Sequence, residues 1–157
     1  MGKKRIYRFI ILFLFIIFTM SGCAVVQTKN PSIDEVVKNI EAVTDLSKMQ
    51  KGDKNNLRKI YSISNKNLEE FALYAPKTNM EANEILIMKV KNQDDIDGLK
   101  ESIEKRVERQ GESFKSYRPE QYELLESHIL MVKGKYVISV VSKDADKIKE
   151  AINDSFK

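Results

Sequence analysis

One cysteine and one histidine are all that this 157-residue chain holds of those two types. A single cysteine closes no intrachain disulfide, so the fold must rest on burial even in an oxidising compartment. With one histidine and one cysteine, a metal would have to be held by carboxylates, and a hard cation needs several converging oxygens. The six glycines are scattered, so no glycine-rich loop cradles a phosphate. No serine stands in a Gly-x-Ser-x-Gly elbow, and no second histidine exists to act as general base. These shortages argue against an envelope hydrolase or any other enzyme, and no cofactor or metal is expected.

Long apolar runs are also scarce. Phe9 to Phe18 is ten uninterrupted apolar residues, the length of a signal-peptide core and too short to span a bilayer. Lys3, Lys4, Arg5 and Arg8 precede it, a positive segment that stays on the cytoplasmic side during export. Ser21 and Gly22 then lead to Cys23, which resembles the lipobox of bacterial lipoproteins, with Met20 where that pattern more often has leucine. By that resemblance cleavage falls between Gly22 and Cys23, and Cys23 receives a diacylglyceryl thioether. Two acyl chains at roughly 0.8 kcal/mol per buried methylene give lasting attachment. An uncleaved short anchor, Phe9 to Val26, is the alternative.

The formal charge of +4 suggests an anionic partner, but its origin is local. Residues 1–22 hold four basic side chains and no acidic ones, which leaves 23 of each sign after cleavage. No basic stripe is expected to follow a phosphate backbone, so nucleic acid is excluded as a partner. About 125 residues remain for one domain, enough for a real core. The expected organisation is a signal over 1–22, the lipidated cysteine and tether over 23–31, and a single α+β domain over 32–157. Nine steps from Cys23 to Ser32 allow a reach of roughly 30 Å at most.

Ser32 and Glu35 have capping-box spacing, and Ile33, Val36, Val37, Ile40 and Val43 form one helical face. After Lys51-Gly52-Asp53 a shorter helix is expected near Asn55 to Tyr61. Phe71 to Tyr74 reads as a strand closed by Pro76, and Glu84 to Lys91 alternates as a second one. Asp94 to about Gln110 is the longest helix, with Gly111 as its stop and a narrow stripe of Ile96, Leu99, Ile103 and Val107. A short helix from Pro119 to Glu126 follows. Strands Ile129 to Lys133 and Tyr136 to Val141 flank Gly134-Lys135, a glycine-first loop of type II′. A last helix runs to Phe156.

At an offset of 49 the chain matches itself. Asp95 to Ile103 lies on Asp144 to Ile152 with five of nine positions identical, and Leu86, Met88 and Val90 lie near Tyr136, Ile138 and Val140. Two hairpin–helix units are expected from this, forming a four-stranded antiparallel sheet with the helices mainly on one face and the signal helix outside the domain. Duplication and convergence both remain open as the origin of the echo.

The lipobox, the strand from Glu84 to Lys89, the run Arg106-x₃-Gln110-x₃-Phe114-x₂-Tyr117-x-Pro119-x-Gln121 and the stretch Lys133 to Val137 are together similar to an uncharacterised lipoprotein family. That family, domain of unknown function 4358, occurs mostly in low-GC Gram-positive bacteria. The resemblance spans roughly Val36 to Phe156 and implies an address and a domain, with no activity attached.

Among candidate sites, Asp95/Asp97 and Asp144/Asp146 sit at helix starts, where acids complement the macrodipole. His128 reads as the edge residue that opens a strand, and Glu84 as a lone acid. Arg106, Gln110, Phe114 and Tyr117 would share a helical face if the helix continued past Gly111. They read either as a grip on a polar ligand or a partner's backbone, or as a structural corner, the preferred reading. In the corner, Phe114 and Tyr117 pack down while Arg106 and Gln110 tie the loop.

The expected function is a lipid-anchored binding or scaffolding module on the extracytoplasmic face of the cell membrane, with an envelope protein as partner. A small-molecule-binding lipoprotein accessory to a transporter is the alternative. Mass spectrometry of the membrane-fraction protein should find diacylated Cys23 at the N-terminus, and any other N-terminal residue overturns that address.

Overall fold

A computed structural model of the chain describes residues 29–157. The expected signal helix, the Gly22–Cys23 junction, Cys23 itself and the expected tether as far as residue 28 lie outside the described residues.

Helix α1 (Ile33–Glu41) starts at Ser32, whose hydroxyl accepts from the Glu35 N–H at 3.2 Å. The Glu35 carboxylate pairs with Lys29 instead of closing the box. A 3₁₀ turn (Leu46–Lys48) leads into strand β1 (Met49–Gly52). Helix α2 (Lys54–Tyr61) carries a complete capping box: Asp53 accepts from Asn56 N–H at 2.9 Å, and the Asn56 side chain accepts from Asp53 N–H at 2.9 Å. It ends at Ser62 in the left-handed region, φ 61°. Strands β2 (Leu68–Pro76) and β3 (Glu84–Val90) follow, then helices α3 (Ile96–Phe114) and α4 (Pro119–Glu126). Strands β4 (Ile129–Lys133) and β5 (Tyr136–Val141) and helix α5 (Ala145–Ser155) complete the chain. Gly134 has φ 57° while Lys135 has no positive φ, the backbone pattern of a type II′ loop.

The fold is α+β around an open antiparallel sheet in the order β1-β2-β3-β5-β4. It has five strands rather than the four expected. The extra one, β1, pairs with β2 from Met49↔Pro76 to Gly52↔Leu73 and buries only Met49. Four residues with two polar members show no alternation; pairing to the already apolar β2 specifies this strand.

The helices also do not gather on one face. Ala72, Tyr74, Ile85, Ile87, Ile138 and Val140 pack against α1 and α5, whereas Leu73, Leu86, Met88 and Val137 pack against α2 and α3. Every residue of β3 and of β5 is buried, because both parities of these strands are apolar and each must be covered. Even Lys89 is only 9% exposed, its ammonium 5.4 Å from the ring centroid of Tyr136, its partner on β5, and 3.5 Å from Glu69 on β2.

The echo meets this two-sided arrangement. Leu86, Met88 and α3 occupy one face, and Ile138, Val140 and α5 occupy the other. Strands β3 and β5 are antiparallel neighbours, with β2 beside β3 and β4 beside β5 on the outer flanks. Turning one strand–helix pair onto the other therefore leaves their hairpin partners on opposite sides. The equivalence covers strand plus helix, and the expected pair of like hairpin–helix units does not hold.

Gly52 explains how closely β1 approaches its neighbours: a Cβ there would meet Leu73 Cδ2 at 2.7 Å and Asn56 Cβ at 3.2 Å. Exposed Gly98, in the first turns of α3, has open space around its missing Cβ. In urea melts, Gly52→Ala should lose about 1–3 kcal/mol through overpacking. Gly98→Ala should gain roughly 0.5–1 kcal/mol through helix propensity. Equal effects would contradict the close contact at β1.

Candidate functional site

Helix α3 leaves the C-terminal end of β3 and runs back over the sheet. Leu99 and Ile103 bury against Leu86, Met88 and Val90, so Arg106 arrives beside Glu84, the first residue of β3. The Glu84 carboxylate is 2% exposed. Arg106 donates to it twice, from Nε at 3.4 Å to Oε1 and from Nη2 at 3.2 Å to Oε2. Tyr61, the last residue of α2, donates its hydroxyl to Oε1 at 2.5 Å. Burial, and then the adjacent Glu84 charge, push the Tyr61 phenol well above its ordinary 10.0, so it is held as a neutral donor. Glu84 therefore has a guanidinium and a phenol as partners instead of standing alone. The three side chains fasten α2, β3 and α3 together, with Arg109 Nη2 adding a bond to the Ile60 carbonyl at 2.9 Å.

The four residues expected on one face diverge beyond Arg106. Helix α3 passes through Gly111 and ends at Phe114, so Gly111 is not its stop. A Cβ at Gly111 would sit 3.4 Å from the Tyr122 ring; the glycine serves the approach of α4 to α3. Gln110 is buried, and its Oε1 accepts no hydrogen bond among the described residues. Phe114 packs with Ala82, Leu125 and Val141. Tyr117 does not pack down: it is 52% exposed, with its ring centroid 5.7 Å from that of Phe114. Guanidinium, amide and phenol thus have three different surroundings. The loop tie expected of Gln110 is made by Gln121, whose Oε1 accepts from the Ala82 N–H at 2.8 Å.

The other candidates lie apart from this corner. His128 precedes the edge strand β4; its Nδ1 bonds to the Leu125 carbonyl at 2.8 Å, and Nε2 is 3.5 Å from Glu104. It joins Glu104, Glu108, Glu112 and Glu126 around an acidic groove of about 290 Å³ between α3 and α4. Asp97, in the first turn of α3, pairs with Lys100 at 3.4 Å, and Asp144, the residue before α5, pairs with Lys147 at 3.6 Å. Among the described residues, no three His, Cys, Asp or Glu side chains are grouped so as to hold a metal ion.

Residues 42–142 match the model of a family described as Domain of unknown function (DUF4358). The chain belongs to this family. No curated protein and no solved structure matches it. The DUF4358 segment is narrower than the span from Val36 to Phe156 expected from the sequence, and α1 and α5, which cover one face of the sheet, fall outside it. Tyr61, Glu84, Arg106, Phe114, Tyr117 and Gln121 all fall inside.

Sequence reasoning did not find Tyr61 as the partner of Glu84; it placed that tyrosine only at the end of the short helix near Asn55 to Tyr61. The only signal was an acid placed at the mouth of an apolar strand, which demands a donor but does not say which.

Two variants test the tie. Arg106→Ala strands a buried carboxylate and should cost about 3 kcal/mol or more, read by urea melts. Because folded Tyr61 holds its proton above the pH where an unfolded tyrosine releases it, its contribution is intact below about pH 10 and declines above it. Wild type should therefore lose stability between about pH 9 and about pH 11 more steeply than Tyr61→Phe. Parallel slopes would mean that Tyr61 is not the buried donor.

Proposed function

We propose that this DUF4358 chain is a lipid-anchored module on the outer side of the cell membrane. In this reading it is not an enzyme, and it binds a neighbouring envelope protein through the end of the domain farthest from its anchor. The address rests on the positive segment, the ten-residue apolar core and the Ser21-Gly22-Cys23 triplet. In the described residues no helix is long and apolar enough to cross a membrane.

The observation that carries the binding face is the polarity of β5. At its start, the Tyr136 hydroxyl donates to Asn30 Oδ1 at 2.7 Å and to the Pro31 carbonyl, pinning the chain where the tether arrives. At its finish, Val141 packs into the Ala82–Phe114–Leu125 corner. Six strand residues put these ends about 17–20 Å apart. Large exposed apolar side chains flank the far corner: Met80 at 43% and Tyr117 at 52%. Methionine and tyrosine are enriched at protein interfaces, where they supply contact area. Two residues beyond Met80, Ala82 is tied to α4 through Gln121, so the loop is held rather than loose.

A small ligand serving a transporter, the other reading, would have to use a surface cleft, since helices cover both sheet faces.

A photo-crosslinking residue at Tyr117 or Met80 should capture a discrete envelope protein in living cells, while the same residue at exposed Val132 on β4 should not. No adduct at either far-end position, in protein shown to be membrane-anchored, overturns the binding face.

A further inference from the structure

We infer that a lysine cleft beside the tether docks on the phosphate headgroups of anionic lipids in the membrane that holds the chain. The inference deepens the anchoring reading and rests on it for its geometry.

The cleft, of about 310 Å³, lies where the β4–β5 turn meets the start of the domain. Lys29, Lys133 and Lys135 line it, Tyr136 and Phe156 contribute its aromatic part, and no acidic residue belongs to the lining. Lys133 Nζ lies 5.4 Å from the Phe156 ring centroid and has no carboxylate within 4.0 Å among the described residues. Lys135 is shared between Glu69 Oε1 at 3.1 Å and the Lys91 carbonyl at 3.2 Å, and Lys29 pairs with Glu35. Lys89 stands nearby, 3.5 Å from the same Glu69. The four lysines Lys29, Lys89, Lys133 and Lys135 share two carboxylate partners, Glu35 and Glu69, while Asp34 and Glu70 stand with Glu69 in the neighbouring groove outside the cleft. A larger group of acids, Glu104, Glu108, Glu112 and Glu126, lines the α3–α4 groove. Net neutrality after signal cleavage conceals a segregation of charge.

Location selects the partner. The Tyr136 hydroxyl in the cleft is the same group that holds Asn30 and Pro31. Lys29 is six residues from Cys23, a reach of about 20 Å at full extension. A cleft held that close meets headgroups at high effective concentration, so weak individual contacts suffice. Lysine is a compact ammonium that binds phosphate as a point charge, and each lysine near an anionic surface strengthens attachment about fivefold. The lysines also orient the molecule, turning the Met80–Tyr117 corner away from the bilayer.

Every residue of the three hydrophobic clusters lies between Ile33 and Phe156, so a soluble chain of residues 29–157 carries the complete core. It should show a cooperative melt, and it tests the cleft without the acyl chains. In sedimentation it should bind vesicles containing about a third phosphatidylglycerol over pure phosphatidylcholine, and the binding should weaken with added salt. The double variant K133Q/K135Q should lower the partition coefficient roughly 25-fold, while K100Q/K105Q on exposed α3 should leave it unchanged. Equal binding to both vesicles, or an unchanged coefficient in a K133Q/K135Q protein that melts normally, overturns the inference. So does a rise in melting temperature with inorganic phosphate without vesicle binding, which would make the cleft a small-anion site. Fractionation of the full chain with Cys23→Ser tests the anchor separately, so failure of one reading is distinguishable from failure of the other.

Discussion

Strands β3 and β5 carry apolar side chains on both parities, and the arrangement of the domain follows from covering them twice. Ile85 and Ile87 turn to α1 and α5, while Leu86 and Met88 turn to α2 and α3. An antiparallel sheet with one solvated face would alternate apolar with polar residues; this central pair does not. The pressure to cover both faces decides where the connections go. Helix α3 returns across one side directly after β3, and α5 returns across the other directly after β5. Helix α1 reaches α5, where Asn39 Nδ2 donates to Ser155 Oγ at 2.8 Å, and completes the second layer.

A strand buried on both sides makes any charge at its end expensive, and Glu84 is that charge. A carboxylate at 2% exposure must be paired and its oxygens satisfied, or the strand end would open. Arg106 and Tyr61 satisfy it from two different helices, so the pairing also sets the angle at which α2 and α3 meet the sheet. Replacing such a triad wholesale with apolar residues need not destabilise a protein, whereas removing one member does. Its role is therefore read more safely as specificity of packing than as a surplus of stability. Gln110, one turn further along, has no such partner for its Oε1 among the described residues, and an unsatisfied buried acceptor costs about 1–3 kcal/mol.

The parts legible in the sequence were those with local signatures. Helix α4 and strands β4 and β5 stand where Pro119, the glycine-first turn and the strand runs placed them, and the α+β class followed from the alternation of periods. What escaped depended on distant partners. β1 exists because β2 pairs with it, which Met49-Gln50-Lys51-Gly52 cannot reveal. The second covered face is present in the interleaving of Ile85 and Ile87 with Leu86 and Met88, but Lys89 and Lys91 after them give the strand the polar alternation of a half-exposed one. Gly111 looked like a helix stop because glycine commonly is one; packing against Tyr122 carries α3 three residues past it. At the corner, the sequence grouped Arg106 with Tyr117 by helical spacing, yet Arg106 is spoken for by Glu84, 22 positions upstream. No periodicity encodes that.

Charge shows the same dependence on tertiary structure. Residues 1–22 hold four basic side chains and no acidic one, which leaves residues 23–157 with no net sign. Folding then sorts those balanced charges, bringing Lys29, Lys133 and Lys135 to one cleft and Glu104, Glu108, Glu112 and Glu126 to another. A chain of balanced charge whose Lys29, Lys133 and Lys135 gather beside Asn30 has a direction, which composition cannot express. Screening in salt confines such fields to about 8 Å, so only the end held near the surface would feel the membrane. In the proposed anchoring, tether length and charge sorting would cooperate: the first would supply the proximity that the second needs in order to act. Under the proposed address, the apolar Met80 and Tyr117 are presented outward because the lysine end has already been claimed.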